Sequence, residues 1–167
     1  VDTIMDAIDE VRHIAMDLRP AMLDDLGILA TLQWFVREFE NTFKNITVES
    51  LVNIDESDIP EDRKVVIFRI VQEAMNNITK HANARNIVLN LFKSDSSITL
   101  FISDDGCGFN MDTLIHKKIN QLDESDILPR CSFGLSSMRE RAESTNGTFV
   151  IESSPGGGTT IIVSWEH

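Results

Sequence analysis

Apolar residues recur every three or four positions in four stretches of the chain, which is the spacing of one face of an α-helix. Pro20 ends the first stretch, because proline disfavours helical geometry in the residue before it. Asp24 and Asp25 precede the second stretch, where carboxylates suit the positive end of a helix. Pro60 opens the third in a position that tolerates its missing amide proton. The pattern predicts helices over residues 1–19, 26–40, 60–81 and 134–144.

Five shorter stretches alternate between apolar and polar residues, as β-strands with one buried face do: 46–51, 86–92, 98–103, 148–153 and 159–165. Residues 110–133 show no clear periodicity apart from a short helical possibility at 111–119. A long segment of this kind inside a compact domain is usually a functional lid or a disordered stretch. The order of elements predicts an α+β fold, a two-layer α/β sandwich. In it a mixed sheet of about five strands carries helices on one face, and a helical segment precedes the sheet.

Composition excludes several classes of protein. Of 167 residues, 42% are apolar and 25% are charged, which suits one folded domain with a short extra element and excludes a disordered chain. The net charge of −12 lacks the basic footprint of a nucleic-acid binder or a polybasic membrane anchor, so neither contact is expected. Cys107 and Cys131 are too few for a disulfide scaffold and lack metal-binding spacing, which favours reduced thiols in the cytoplasm.

Four polar residues follow one side of the predicted third helix at spacings of three and four: Glu73, Asn77, Lys80 and His81. A carboxylate and an amide oxygen one turn apart can hold a hard cation. The lysine and histidine one turn further along can meet phosphate oxygens. Taken alone, a solvated helix face is the simpler explanation of this stretch.

Glycines stand at three places where the backbone turns or could approach a ligand closely. Asp104, Gly106 and Gly108 directly follow a predicted strand, where an aspartate can accept a hydrogen bond from an exocyclic amine. An ordinary tight turn explains the same residues. The Gly-Leu pair at 134–135 is predicted to open a helix, whose free amides could bind phosphate. The glycine-rich connection at 155–159 fits a plain hairpin turn at least as well as a ligand loop.

The combination and order of these features are more specific than any one of them. They resemble the ATP-binding fold, known as the Bergerat fold, shared by histidine kinases, type II topoisomerases, Hsp90 chaperones and MutL mismatch-repair proteins. A closer resemblance is to sensor histidine kinases of the nitrate-sensor and desaturase-regulator type. It rests on three stretches: Asp17-Leu18-Arg19-Pro20 through Leu23-Asp24-Asp25-Leu26-Gly27; Arg69-Ile70-Val71-Gln72-Glu73-Ala74 through Asn77 and Lys80-His81-Ala82; and Gly134-Leu135 with Met138-Arg139-Glu140-Arg141-Ala142.

The resemblance implies roles for the polar residues. Asn77 would ligate the magnesium that bridges the phosphates of ATP, with Glu73 beside it orienting water or metal. Lys80 would reach the phosphates, and His81 would line the nucleotide pocket. Asp104 would accept a hydrogen bond from the adenine amino group and so select adenine.

The resemblance also implies roles for the glycines and the unpatterned segment. Gly106 and Gly108 would let the chain pass close to the base and hinge an ATP lid over residues 110–133. Gly134 and Leu135 would close that lid at the phosphates. The family's last glycine box corresponds to Gly156, Gly158 and Thr159, of which Thr159 is a candidate contact.

Three positions depart from the family pattern. Ser132 and Ser137 stand where glycine is usual or common, and a lost glycine restricts backbone geometry, so lid closure or phosphate affinity could be reduced. Asp105 stands where asparagine is frequent and adds a negative charge near the base.

The phosphate acceptor is the larger departure. The family phosphorylates a histidine that is followed by an acidic residue, on the first helix of a two-helix dimerisation unit. None of the histidines fits, since none precedes Asp or Glu: His13, His81, His116 and His167. The surroundings of His13 resemble the end of the second dimerisation helix. We therefore expect the acceptor upstream of Val1 in a longer protein, although a genuine N-terminal helix remains the alternative.

These comparisons predict an organisation and a set of partners. Residues 1–19 would be the end of the second dimerisation helix, and residues 20–43 would form a connecting segment and helix. Residues 44–167 would form the catalytic ATP-binding domain. The full-length protein would be a homodimer that binds ATP and magnesium and passes its phosphoryl group to a response regulator. Two other functions stay open: an ATP hydrolase or clamp in which Glu73 activates water, and a degenerate module that acts by protein contact alone.

Overall fold

The computed structural model describes residues 21–110 and 128–166. The predicted helix over 1–19 and the helical possibility at 111–119 lie outside these residues. Five strands of this described part form one mixed sheet in the order β1-β2-β3-β5-β4. They are β1 (Thr47–Asn53), β2 (Asn86–Lys93), β3 (Ser97–Asp104), β4 (Gly147–Ser153) and β5 (Thr159–Glu166). β1 pairs with β2 in parallel and the remaining neighbours are antiparallel, which confirms the predicted mixed sheet.

Within residues 21–110 and 128–166, three helices cover one face of the sheet: α1 (Ala21–Thr42), α2 (Glu61–Asn77) and α3 (Leu128–Glu143). Alternate residues of β2 and β3 are buried beneath them, and the residues between are only partly buried on the opposite face. The core between the two layers includes the largest buried side chains, Trp165, Phe35, Phe39 and Phe68. This arrangement confirms the predicted two-layer α+β sandwich. No helix in the described ranges is long and apolar enough to cross a membrane.

A kink divides α1 at Gly27, whose backbone has φ 82° and ψ 177°. The carboxylate of Glu56 accepts hydrogen bonds from the amides of Ile28 and Leu29, each 3.0 Å long. Glu56 lies in a short 3₁₀ turn (Glu56–Asp58) and caps the restarted helix from a distance in sequence. α1 as a whole starts at Ala21, earlier than the apolar pattern predicts, and Glu56 caps the part that follows the kink.

The third helix has the predicted extent, but its C-terminal end is not α-helical. Regular α-helix stops at Asn77, and a π-helical turn (Ile78–Ala82) follows. Asn83, in the left-handed region at φ 51°, ends this turn. A π turn carries more residues per turn than an α-helix, so the side chains beyond Asn77 no longer keep the α-helical spacing. Such turns cluster at functional sites.

The predicted start of the last helix is wrong. α3 begins at Leu128, six residues before Gly134. Pro129 stands in its first turn, where the missing amide proton costs nothing. The end of the segment predicted as a lid is thus helical, and Gly134 lies inside the helix.

Candidate functional site

A cavity of about 90 Å³ lies between α2, the π turn and the ends of β3 and β5. Its walls are mostly apolar: Ala74, Ile78, Ala82, Ile102, Phe109, Leu135 and Ile161. Gly108 and five residues with polar side chains complete the lining: Asn77, His81, Asp104, Cys107 and Thr159. An apolar cavity with a few converging polar groups suits a flat, partly polar ligand such as a nucleotide base.

Asp104 is the buried carboxylate of this cavity, with 8% of its surface exposed. Its Oδ1 accepts a hydrogen bond from the amide of Gly106, 2.8 Å away. Burial raises the pKa of Asp104 and the negative charge of Asp105 raises it further, while hydrogen bonds from the amides of Gly106 and Thr159 act in the opposite direction. The backbone amides of Gly106 and Thr159 therefore hold the Asp104 carboxylate, a hydrogen-bond acceptor, at the wall of a mostly apolar cavity.

The loop after β3 packs so tightly that two positions require glycine. A Cβ at Gly106 would overlap the backbone and side chain of Ala82. Gly108 has φ 55°, and a Cβ there would overlap the carbonyl oxygens of Ser154 and Gly158. The glycines expected to let the chain approach a base thus also let two loops approach each other.

Gly108→Ala should lower the free energy of unfolding by about 2 kcal/mol, because the left-handed backbone and the overlap with two carbonyl groups both oppose a side chain. Gly156→Ala is the matched control, since Gly156 has φ 77° with no other atom within 4 Å of the added Cβ. It should cost about 1 kcal/mol, the backbone strain alone. Urea unfolding of both variants measures the difference, and equal losses would contradict the packing argument.

Ser153 joins the loop after β3 to the loop between β4 and β5, a role that its sequence context does not indicate. Its hydroxyl accepts a hydrogen bond from the amide of Phe109 at 2.9 Å and donates to the carbonyl of Gly158 at 2.8 Å. It also lies 3.1 Å from the Thr159 hydroxyl. Serine at a strand end is common, so only the tertiary contacts identify Ser153 as part of the site.

The polar side of the third helix is divided between the cavity and its surroundings. Asn77 and His81 line the cavity, whereas Lys80 and Glu73 lie outside its lining. Burial, followed by the positive charge of Lys80, lowers the pKa of His81 below its ordinary 6.5, so its imidazole is neutral at pH 7. Lys80 itself is exposed in the π turn.

Glu73 faces α3 at Gly134. A Cβ at Gly134 would overlap the Glu73 carboxylate and come within 3.3 Å of the Asn77 side-chain nitrogen. Leu135 lines the cavity next to this contact. Because Gly134 lies six residues inside α3, its amide is in the range that bonds within a helix, which corrects the expectation of free amides there.

Ser132 and Ser137, which the resemblance places at glycine positions of the family, both lie within α3. Ser137 has a helical backbone, and its hydroxyl accepts a hydrogen bond from the Arg141 side chain at 3.3 Å. A position with ordinary helical geometry does not use the conformational freedom of glycine. The expected restriction of the backbone therefore does not arise at Ser137 in this structure.

The donor set around Asn77 fits magnesium. Among the described residues, no group of three or more His, Cys, Asp or Glu side chains could hold a metal by itself. The Asn77 side-chain nitrogen is buried and, within the described chain, has no hydrogen-bond partner. Rotating this amide would place its oxygen there instead. Asn77 and Glu73 could thus offer oxygen ligands to a cation that takes its remaining ligands from phosphate and water.

Solved structures with the same fold include two histidine kinases. The histidine kinase domain of the Erythrobacter litoralis EL346 blue-light activated histidine kinase superposes with a TM-score of 0.54 at 18% identity. That match covers 81% of this chain and 58% of the other. The mycobacterial sensor histidine kinase MprB gives a TM-score of 0.54 at 15% identity, covering 78% and 89% of the two chains. At these identities the likeness shows the fold.

Curated relatives are more similar in sequence. The signal transduction histidine-protein kinase/phosphatase DegS of Brevibacillus brevis is 36% identical over 162 residues, 96% of this chain and 38% of the relative. The histidine-protein kinase/phosphatase UhpB of Salmonella typhimurium is 35% identical over 93% of this chain and 28% of the relative. The oxygen sensor histidine kinase NreB of Staphylococcus carnosus is 32% identical over 92% and 40%. The chain spans about a third of the length of these relatives. Residues 62–167 match the histidine kinase-, DNA gyrase B- and HSP90-like ATPases, and the chain belongs to this family.

Proposed function

We propose that this chain is the catalytic ATP-binding domain of a two-component sensor histidine kinase that acts in the cytoplasm. The full-length protein would be a homodimer through an upstream unit that carries the acceptor histidine, and its phosphohistidine would serve a response regulator. The names of the curated relatives favour a kinase over a hydrolase. The observation that carries the proposal is the buried Asp104, held by backbone amides at the wall of an apolar cavity.

Each part of the site has a distinct task in this proposal. The adenine ring occupies the apolar cavity, where the Asp104 carboxylate accepts a hydrogen bond from its amino group. The neutral His81 imidazole lines the same cavity without adding charge. Asn77 and Glu73 hold the cation, and the exposed Lys80 reaches toward the phosphates.

Phosphoryl transfer needs position and charge neutralisation more than covalent help from the protein. Magnesium, when bound, would neutralise the phosphate oxygens and orient them for transfer. The chain contributes a nucleotide held by its base, so that the γ-phosphoryl group is presented to an imidazole nitrogen of the upstream acceptor. The chain by itself should bind ATP without labelling itself with phosphate.

Isothermal titration with a non-hydrolysable ATP analogue, with and without magnesium, tests the proposal. The unsubstituted chain should bind, and magnesium should tighten its binding. In Asn77→Ala the gain in affinity that magnesium gives should be about tenfold smaller, because a buried amide ligand is lost. Asn90→Ala, on the opposite face of the sheet, is the control and should bind like the unsubstituted chain.

Two results would contradict the proposal. Absence of analogue binding by the unsubstituted chain would favour the degenerate interaction module. An undiminished magnesium effect in Asn77→Ala would remove Asn77 from the cation site. A separate measurement distinguishes the kinase from the hydrolase. Incubation with labelled ATP should leave the isolated chain unlabelled and release little free phosphate.

A further inference from the structure

Asp105 fastens the end of β3 to the start of β2. Its Oδ1 accepts hydrogen bonds from the amides of Arg85 at 2.7 Å and Asn86 at 2.9 Å. Its Oδ2 accepts a third from the Asn86 side-chain nitrogen at 2.7 Å, and its own amide donates to the Asn86 carbonyl at 3.2 Å. One exposed side chain therefore satisfies three donors on a neighbouring segment, which is more than an ordinary turn residue does.

The two segments that Asp105 joins form different walls of the cavity. Asp104 immediately precedes it, and the segment that begins β2 continues the π turn that carries His81. A second tie runs between the same segments, since the amide of Cys107 donates to the carbonyl of Ala82 at 2.7 Å. The carboxylate of Asp105 thus joins the wall with Asp104 to the segment that continues from the π turn, next to the main-chain pairing of Ile87 with Asp104.

The charge of Asp105 acts on the same site. Hydrogen bonds from the backbone and side chain of Asn86 and from the amide of Arg85 lower the pKa of Asp105, so the carboxylate is ionised at neutral pH. Its negative charge lies next to Asp104, the buried group whose pKa is raised first by burial. The other groups around Asp104 are the amides of Gly106 and Thr159. The cavity lining also contains His81 and Cys107, and the charged Lys80 precedes His81 in the π turn.

We propose that Asp105 is a positioning residue of the nucleotide site, whose carboxylate holds the Asp104 wall and the π-turn wall at binding distance without touching the nucleotide. This inference rests on the proposed function, because it concerns the same cavity. It explains why an acidic residue is compatible with a site for a polyanion. Three hydrogen-bond donors at the start of β2 stabilise the negative charge of Asp105.

Asp105→Ala and Asp105→Asn separate the acceptor atoms from the charge. Alanine removes every acceptor. Asparagine keeps Oδ1 for the two backbone amides, and the Asn86 side-chain amide can rotate so that its oxygen accepts a hydrogen bond from the new NH₂ group. We expect Asp105→Ala to weaken binding of the ATP analogue about tenfold, equivalent to the loss of one or two net hydrogen bonds. Asp105→Asn should stay within about threefold of the unsubstituted chain. Asp95→Ala, at the other end of the same hairpin, removes the same charge and should bind normally.

Hydrogen exchange supplies a readout that does not depend on the nucleotide. The amide of Cys107 does not contact the Asp105 side chain, yet it should exchange faster in Asp105→Ala because the two segments are less firmly joined. Its exchange should be near normal in Asp105→Asn. If the unsubstituted chain fails to bind the analogue, the proposed function fails, while this exchange measurement still tests the positioning role.

The pH dependence of analogue binding adds a further test. Binding should weaken as the pH falls and Asp104 becomes protonated. Removing the neighbouring charge in Asp105→Asn lowers the pKa of Asp104, so this weakening should move to lower pH. A shift of this kind would not follow from a purely structural role.

Three results would overturn the positioning role. They are normal affinity in Asp105→Ala, unchanged exchange at Cys107, and a defect in Asp105→Asn as large as that in Asp105→Ala. Should the alanine variant fail to fold, Asp105→Ser takes its place, because a serine hydroxyl is shorter and cannot bridge both amides. The same expected loss and the same contrary outcomes then apply to serine.

Discussion

Asp104→Asn should weaken binding of an ATP analogue about 100-fold. A hydrogen bond to a charged group contributes about 1.5–3 kcal/mol, and tenfold in affinity corresponds to about 1.4 kcal/mol. The backbone amides of Gly106 and Thr159 hold the carboxylate and would hold the oxygen of an asparagine in the same way. The NH₂ group would then face the adenine amino group, so a donor would oppose a donor. Calorimetric titration measures the loss, with Asp95→Asn as the control for charge.

The same substitution should leave the ligand-free domain at least as stable at pH 7. Burial raises the pKa of Asp104 above its ordinary 3.8, so the folded protein holds this proton more tightly than the unfolded chain. The contribution of Asp104 to stability is therefore present at low pH and is lost as the pH rises through its folded pKa. Asparagine carries no charge and removes this dependence.

Thermal unfolding between about pH 4 and pH 7 tests this second part. The melting temperature of Asp104→Asn relative to the unsubstituted chain should rise with pH across this range. A variant that binds the analogue normally would exclude Asp104 as the adenine acceptor. A variant that is markedly less stable at pH 7 would show that the ionised carboxylate stabilises the fold, which would contradict the argument that its burial is unfavourable.

Gly27→Ala should lower the free energy of unfolding by about 3 kcal/mol. The backbone at φ 82° and ψ 177° lies in a region that is nearly exclusive to glycine. An added Cβ would also overlap the Glu56 carboxylate, which could move only by giving up the amides of Ile28 and Leu29. The expected loss therefore combines backbone strain with the loss of a helix cap, and urea unfolding measures it.

A double-mutant cycle with Glu56→Ala separates those two causes. With the Glu56 side chain removed, Gly27→Ala should cost only the backbone strain, so the two losses should not add. Strict additivity would contradict the argument. Burial acts to raise the pKa of Glu56, but hydrogen bonds from the amides of Leu29 and Ile28 and from Lys64 lower it overall. The stabilisation by Glu56 should thus be present above pH 4.5 and fade as the pH falls through the folded pKa.

The strands were predictable because their signal is local. Alternation of apolar and polar residues places one set of side chains on the buried face, and the inward residues of β2 and β3 are buried as this pattern requires. The bounds of the predicted strands differ from those of the structure by only one or two residues. Helical periodicity likewise located α1, α2 and α3.

The ends of the helices were less predictable, since they depend on contacts outside the helix. Nothing near Gly27 in sequence indicates that Glu56 caps the restarted α1. The π turn after Asn77 replaces α-helical spacing only where the chain must meet the loop after β3, through Ala82 and Cys107. Pro129 was a usable signal for the start of α3, but the weak apolar pattern around it concealed that start.

The residues of the candidate site likewise fall into those that the sequence indicated and those that only tertiary contacts identify. Motif spacing indicated Asn77, His81, Asp104, Leu135 and Thr159, which lie around one cavity. The same spacing grouped Glu73 and Lys80 with them, yet these two lie outside the cavity lining. Lys80 is exposed in the π turn, and Glu73 faces α3 at Gly134. Ser153 carried no local signal, and the sequence indicated only the charge of Asp105, since the hydrogen bonds of both side chains reach residues distant in sequence.

Side-chain periodicity and glycine placement act within a few residues, so the two-layer fold and the chemical types at the cavity could be predicted from the sequence. Which polar groups meet, and which carboxylate serves which purpose, depends on how distant segments pack. Asp104 is buried at the cavity and Asp105, its neighbour, turns toward the amides that begin β2. Adjacent residues leave a strand on opposite sides, and only the packing of the surrounding segments determines what each side meets.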